Sequence, residues 1–405
     1  MGQWRLAQLL AQLVSADTAA EGRPCVDTVV LQPTPFCNIA CRYCYLPSRS
    51  DTSKMSLDTV RAVFTALFAS GWSHPWLTVI WHAGEPLVMP VTYYEEAFAL
   101  VAALTPPGIE VRHAIQTNGM LIDATWCALF RRWQVGVGVS IDGPREIHDA
   151  NRVTRQGRGT FDKTAAGIRC LIEEDIPFHV ISVLSTRALQ APDEMLAFYR
   201  DAGITDVCFN VEESEGDHIS ELFADGGAEA RFRQFLGHFW RKSREAAGIR
   251  FLREIDGMLT RILRPDEAAG ENSQVQPFGM INVDCHGNVS SFSPELLGLK
   301  NADYGDFIVG NIHTDSLDDM RRSDAMRAMH RDIAAGVAAC RAECAYFSVC
   351  GGGSPINKLT ENGSFATTRT SFCDLVQKVP TDLILDALDR LETVLDDDML
   401  VRSAS

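Results

Sequence analysis

Three cysteines, Cys37, Cys41 and Cys44, sit in Pro35-Phe36-Cys37-Asn38-Ile39-Ala40-Cys41-Arg42-Tyr43-Cys44-Tyr45, directly after an apolar, strand-like run. Iron–sulfur clusters are ordinarily tied down by four cysteines. Three thiolates can therefore hold a [4Fe–4S] cluster by three of its irons and leave the fourth iron open for ligand chemistry. Zinc is the alternative occupant, although structural zinc favours cysteines in pairs with two-residue gaps. A second group, Cys340, Cys344, Cys350 and Cys373, offers four thiolates. Four ligands saturate a [4Fe–4S] cluster, so a centre there is closed to substrate; a structural zinc fits the same set. The chain has twelve cysteines in all. Without an export signal, that number points to metal or redox chemistry rather than to disulfides. Of the other five, Cys127, Cys170 and Cys208 lie in apolar segments and are expected to be buried and inert, while Cys25 and Cys285 are scattered.

The elements that must position these thiols are legible as alternating apolar runs and amphipathic segments. Strands are predicted at Val29–Pro33, Leu77–His82, Val111–Gln116, Val135–Ile141, Phe178–Leu184 and Asp206–Val211. Between the first two, Ser56 caps a helix whose apolar positions Val60, Val63, Phe64, Leu67 and Phe68 follow helical spacing. Segments near 91–104, 122–133, 161–174 and 192–202 read as helices too. Six β/α units in series imply an α/β fold, a parallel sheet with right-handed crossovers closing into a partial, TIM-like (β/α)6 barrel. Chemistry in such barrels gathers at the C-terminal ends of the strands, which is where the loop of three cysteines falls.

This reading divides the chain into an N-terminal lead segment (1–28, with an amphipathic helix over 1–20), a barrel (29–215) and a helical bridge (216–275, helices near 227–247 and 252–264). A small Cys-rich domain (276–380) and a C-terminal helix and tail (381–405) follow, with Asp396–Asp398 as a solvated end. The 405 residues are 46% hydrophobic and carry a net charge of −16. A nucleic-acid surface needs a basic excess, and no apolar run reaches the length of a membrane span. Neither nucleic acid nor membrane is expected as a partner, and a cytoplasmic location is.

The C-x3-C-x2-C motif with an aromatic before its last cysteine resembles the radical S-adenosylmethionine (radical SAM) signature. The resemblance implies that the open iron chelates the amino and carboxylate groups of S-adenosylmethionine, whose reductive cleavage gives a hydrogen-abstracting radical. Trp81-His82-Ala83-Gly84-Glu85-Pro86 resembles the family's Gly-Gly-Glu-Pro loop, which implies that the backbone at Ala83 and Gly84 and the Glu85 carboxylate receive the methionine ammonium. By the same resemblance Thr117 and Asn118 end the third strand in the cofactor site and Ser140 meets the ribose. It also implies that Arg152 pairs with the methionine carboxylate, Val183 and Leu184 offer backbone to adenine, and Tyr43 packs beside it. Asp142 fits a turn and a substrate contact equally.

Cys340 to Lys358 together with Cys373 resembles the SPASM extension of peptide-modifying radical SAM enzymes, with departures: the first gap is three residues, and Ser354 stands where the core pattern has a cysteine. The resemblance then implies two [4Fe–4S] clusters, one catalytic and one closed and auxiliary, rather than three. Phe292-Ser293-Pro294-Glu295-Leu296-Leu297-Gly298 and Tyr346–Lys358 look like segments of cyclophane-forming, GrrM-like maturases. A precursor peptide is the implied substrate, a flavodoxin- or ferredoxin-type protein the implied electron donor, and cross-linking of an aromatic side chain to a neighbouring β-carbon the implied reaction. Glu212, Glu213 and Asp374 are the candidate proton acceptors. Formylglycine formation in a sulfatase is the alternative within this enzyme class, and a non-catalytic metal-binding protein the alternative outside it.

Overall fold

A computed structural model describes residues 23–46, 48–214, 218–264 and 272–390. The expected lead helix over 1–20, the Asp396–Asp398 run and the end of the tail lie outside the described residues. Six parallel strands, β1 (Val26–Leu31), β2 (Ser73–Trp81), β3 (Glu110–Thr117), β4 (Gly136–Ser140), β5 (Phe178–Leu184) and β6 (Asp206–Val211), lie side by side in sequence order. Helices α1 (Leu57–Ser70), α2 (Val91–Leu104), α3 (Ala124–Trp133), α4 (Arg145–Asn151), α5 (Phe161–Glu173) and α6 (Pro192–Asp201) form the crossovers. No helix among the described residues is long and apolar enough to cross a membrane.

Local sequence sets these elements. Ser56 Oγ accepts the Thr59 N–H at 3.1 Å at the start of α1, and Val60, Val63, Phe64 and Leu67 are buried beneath it. Such a cap contributes about 1 kcal/mol. Strand β2 packs its last residue, Trp81, against Tyr94 of α2 with ring centroids 5.2 Å apart and nearly perpendicular, the edge-to-face arrangement that aromatic quadrupoles favour. β1 stops at Leu31 rather than Pro33, since a proline has no N–H for the ladder.

The sheet continues beyond the six strands. The two-residue β7 (Phe251–Leu252) adds parallel to β6, between helices α7 (Ala228–Glu245) and α8 (Arg253–Leu263). On the other side β8 (Met280–Val283) pairs parallel with β1, so Leu31 lies between Trp81 and Val283. The antiparallel strands β9 (Asn288–Ser291) and β10 (Gly310–Asn311) complete ten strands in the order β10-β9-β8-β1-β2-β3-β4-β5-β6-β7. The Cys-rich region thus begins inside the barrel's own sheet. After it, α9 (Asp324–Glu343) carries Cys340 and α10 (Phe347–Cys350) carries Cys350, with Cys344 between them, and Cys373 follows α11 (Pro355–Asn362). The chain is helical again through Arg390.

Candidate metal and cofactor centre

The loop leaving β1 is held from three sides. Its backbone N–H groups at Ala40 and Arg42 donate to the carbonyls of Val153 and Asn151, at 2.7 and 3.0 Å. Arg155 donates Nε and Nη2 to the Cys37 carbonyl at 3.2 and 3.0 Å and covers the Phe36 ring at 4.8 Å. Arg49 donates to the Cys41 carbonyl at 3.1 Å. These two arginines were not legible as site residues, because a loop arginine in a sequence looks like a solvated one. Their charges stand beside a loop whose thiols lie close together: burial pushes Cys37 up to about 12, with Glu85, Cys41 and Cys44 adding to the rise. Burial likewise carries Cys41 to about 11, against the pull of Arg152. A metal takes cysteine as thiolate, so these thiols would give up their protons on metal binding.

The loop after β2 packs on the cysteine loop without a gap. Gly84 has φ +58°, and a Cβ there would stand 2.3 Å from the Thr34 carbonyl oxygen and 2.6 Å from that of Phe36. Ala83 has φ +70°, a left-handed conformation that costs an L-residue about 1–2 kcal/mol. The glycine of the family pattern thus has a conformational purpose that Ala83 meets under strain. Glu85, 1% exposed, accepts from the Leu87 N–H at 2.9 Å, Thr117 Oγ1 at 2.6 Å and the Asn118 N–H at 2.8 Å. Its carboxylate ties the loop after β2 to the end of β3. Burial raises its pKa, and the Asn118, Thr117 and Leu87 donors oppose the rise. Asn118 in turn donates Nδ2 to Asn38 Oδ1 at 2.7 Å, inside the cysteine loop.

Asp142, ambiguous in sequence, is the hub at the end of β4. It is fully buried. Oδ2 accepts from the Tyr43 hydroxyl at 2.5 Å and Oδ1 from the Val183 N–H at 3.0 Å. Arg152 places Nε 3.0 Å from the same Oδ1, its guanidinium over the Tyr43 ring at 5.4 Å and Nη1 3.9 Å from Cys41 Sγ. Arg152 is 7% exposed, so a solvated surface role is excluded. Its Nε proton has no hydrogen-bond partner despite the ion pair. Tyr43 is anchored by its hydroxyl beneath Arg152. Ser140 Oγ accepts from Gln116 Nε2 at 3.0 Å, and the Leu184 carbonyl accepts the Glu212 N–H at 3.2 Å.

In the C-terminal group, Cys340 and Cys344 close α9 and Cys350 ends α10. Gly351, Gly352 and Gly353 then turn the chain with φ of +62°, +108° and +76°, a run only glycine takes easily. Asn272 Nδ2 holds the turn through the carbonyls of Cys350, at 3.3 Å, and Gly353, at 2.8 Å. Cys373 accepts from Thr370 Oγ1 at 3.1 Å. Burial raises the pKa of Cys350 and of Cys373; Cys373 and Cys344 add to the rise at Cys350, and Cys340 adds to that at Cys373. Cys285 lies on the β8–β9 turn and lines one cavity with Pro35, Leu46 and Ala83; burial pushes it up to about 12, and Asp284 and Asp51 add to the rise.

Two of the expected proton acceptors meet partners at the rim. Glu212 Oε1 lies 2.8 Å from His218 Nε2, and Glu213 accepts from Asn357 Nδ2 of α11. Asp374 is held between Arg369 Nε, at 2.8 Å, and Lys378 Nζ, at 2.6 Å.

A profile of the Radical SAM superfamily matches residues 31–199. An uncharacterised protein of Synechocystis sp. is 37% identical over 365 residues, which cover 89% of this chain and 92% of that protein. The chain belongs to the radical SAM superfamily. Membership in this family implies an iron–sulfur cluster and S-adenosylmethionine. The serine-type anaerobic sulfatase-maturating enzyme of Bacteroides thetaiotaomicron is 26% identical over 356 residues, covering 82% of this chain and 83% of that enzyme. Native anSMEcpe with bound AdoMet superposes with a TM-score of 0.71 at 19% identity, over 91% of this chain and 99% of that one. Streptococcus suis SuiB bound to S-adenosylmethionine superposes with a TM-score of 0.58 at 14% identity, over 88% and 80%. These two likenesses are likenesses of fold.

The residues present suit the radical SAM cofactors. Three soft thiol ligands share one loop on the barrel rim, and the buried Arg152 guanidinium stands beside it with Nη1 3.9 Å from Cys41 Sγ. Positive-φ backbone at Ala83 and Gly84 lets the second loop approach the first. Gly84→Ala tests that approach. Its Cβ has only backbone oxygens to meet, so the cysteine loop must shift, and iron bound through Cys37, Cys41 and Cys44 should fall several-fold while iron at the C-terminal group is retained. Iron and sulfide analysis of the reconstituted variant, alone and with Cys340, Cys344, Cys350 and Cys373 replaced, reads the two sites apart; unchanged N-terminal iron would show that the loop tolerates the methyl group.

Proposed function

We propose that this radical SAM protein oxidises a ribosomally made precursor peptide, joining an aromatic side chain to the β-carbon of a nearby residue. The observation that carries the reading is the position of the segment that resembles cyclophane-forming maturases. Its Pro294 carbonyl accepts from Gln32 Nε2, just beyond β1, at 3.0 Å, and its Leu297 and Gly298 line a cavity of about 240 Å³ together with Gln32, Pro35, Leu46 and Ala83. That cavity adjoins both the cysteine loop and the Ala83-Gly84 loop. Relatives support a peptide substrate: a native anSMEcpe structure holds AdoMet and the Cp18Cys peptide, and SuiB is bound to the precursor peptide SuiA.

When bound, the catalytic cluster and S-adenosylmethionine supply a radical that removes a hydrogen atom from carbon. The chain's own residues do the rest. Cys37, Cys41 and Cys44 hold the metal, Ala83, Gly84 and Glu85 shape the pocket for the methionine ammonium, and Arg152, backed by Asp142 and Tyr43, faces the carboxylate. Thr117 and Asn118 lock the loop that carries Glu85, Ser140 serves the ribose, and backbone at Val183 and Leu184 borders adenine. Glu212, paired with His218, is the best-placed proton acceptor, since a carboxylate–imidazole pair can take a proton and pass it on. Glu213 and Asp374 are engaged by Asn357 and by Arg369 and Lys378. Cys340, Cys344, Cys350 and Cys373 hold a second, closed [4Fe–4S] cluster, and a flavodoxin- or ferredoxin-type protein delivers the electrons.

A second reading, formylglycine formation, is favoured by the 26% identity to a sulfatase-maturating enzyme over most of both chains. Product analysis separates the two. Cross-linking removes two hydrogens and suppresses backbone fragments between the joined residues in tandem mass spectrometry. Oxidation of serine to formylglycine also removes two hydrogens, but leaves an aldehyde that reacts with hydrazides and a full fragment series. A hydrazide-reactive product would overturn the cross-linking assignment.

A further inference from the structure

Lys358 is buried to 2% exposure in the middle of the C-terminal cysteine group. Its Nζ lies 3.3 Å from Cys340 Sγ, and among the described residues no carboxylate stands within ion-pairing distance of it. Gly336 and Gly353 lie beside it: a Cβ at Gly336 would stand 3.2 Å from Nζ, and one at Gly353 would stand in ordinary contact with Cε, at 3.9 Å, and with Cys373 Sγ, at 3.5 Å. Four thiolates around a metal carry net negative charge, and a lysine nitrogen in contact with one of their sulfurs is placed to donate to it.

We propose that Lys358 is the counter-charge of the metal–thiolate centre at Cys340, Cys344, Cys350 and Cys373, and that it sets this centre's reduction potential high enough to make it an electron acceptor. Adding an electron to a thiolate-ligated cluster adds negative charge to an already anionic group, and net charge and hydrogen bonds to the sulfurs are the protein's means of tuning that potential. A cation in contact with one ligand sulfur favours the reduced form. The residue before it, Asn357, donates to Glu213 at the end of β6, so one helix joins the barrel rim to this centre. The proposal rests on the peptide-oxidation reading above, which requires an electron acceptor near the barrel; Lys358 is a positioning residue and touches no substrate.

The test uses the full chain with Cys37, Cys41 and Cys44 all replaced by Ala, so that only the C-terminal centre is filled, and reads its midpoint potential by redox titration followed by electron paramagnetic resonance. Lys358→Met should lower the potential with iron content unchanged, and Lys358→Arg should restore most of it. Equal potentials for Lys and Met at equal iron content would overturn the proposal, as would zinc in place of iron at this site. If the Met variant takes up no iron while the Arg variant does, the requirement for charge is supported; if neither does, Lys358 is a packing residue and the proposal fails. None of these outcomes depends on a peptide, so the peptide-oxidation reading can fail separately.

Discussion

Replacing any one of Cys37, Cys41 or Cys44 by Ala is expected to abolish cleavage of S-adenosylmethionine. The loop supplies three thiols; Cys285 comes from the separate β8–β9 turn, Cys340, Cys344 and Cys350 are held in and between α9 and α10, and Cys373 opens a later helical turn. The effect is a loss to background, read as 5′-deoxyadenosine formed under dithionite. Wild-type protein reconstituted without oxygen should hold ~8 irons, the content of two four-iron clusters, and the triple variant about half of that. Wild-type amounts of 5′-deoxyadenosine from a single variant would mean that the loop does not hold the catalytic metal. About twelve irons in the wild type would mean a third cluster.

Arg152→Ala is expected to have the second largest effect, and on two quantities. It strands the Asp142 carboxylate, which is fully buried and has Arg152 as its ion-pair partner. Breaking a buried pair on one side costs about 3–5 kcal/mol, so the midpoint of urea unfolding should fall markedly. Affinity for S-adenosylmethionine should also fall, by about 1.5–3 kcal/mol for a lost charge-assisted contact. The double variant Arg152→Ala with Asp142→Asn separates the two roles. Removing the stranded charge should recover much of the stability, while affinity stays low because the guanidinium is still missing. Affinity recovering together with stability would reduce Arg152 to a structural partner of Asp142.

Much of this architecture could be read from the chain because it is written locally. β5 and β6 lie where their apolar runs do, and Ser56 caps α1 as its hydroxyl and the following apolar spacing require. The cysteine loop and the Gly84-Glu85-Pro86 turn follow their strands in the expected order. What the sequence hid is non-local. Nothing in Met280–Val283 tells that this strand lies along β1, which joins the Cys-rich region to the barrel sheet; periodicity gives a strand its faces but not its neighbours. Asp142 stayed open between a turn and a substrate contact because its partners Tyr43, Arg152 and Val183 come from three other segments. That Glu85 also ties together Leu87, Thr117 and Asn118 was not legible, because Thr117 and Asn118 come from the end of another strand. The burial of Lys358 beside Cys340 was hidden too, because the sulfur it meets comes from another helix.

On the function proposed above, this radical SAM protein removes hydrogen from the carbon framework of a peptide. The measurement that addresses it most directly is the fate of deuterium. A candidate precursor peptide carrying deuterium on the β-carbons of the residues beside its aromatic residue is incubated with reconstituted enzyme, S-adenosylmethionine and reductant. The account predicts 5′-deoxyadenosine enriched in one deuterium, in proportion to the peptide that has lost mass. A peptide converted in full while 5′-deoxyadenosine remains free of deuterium would contradict it.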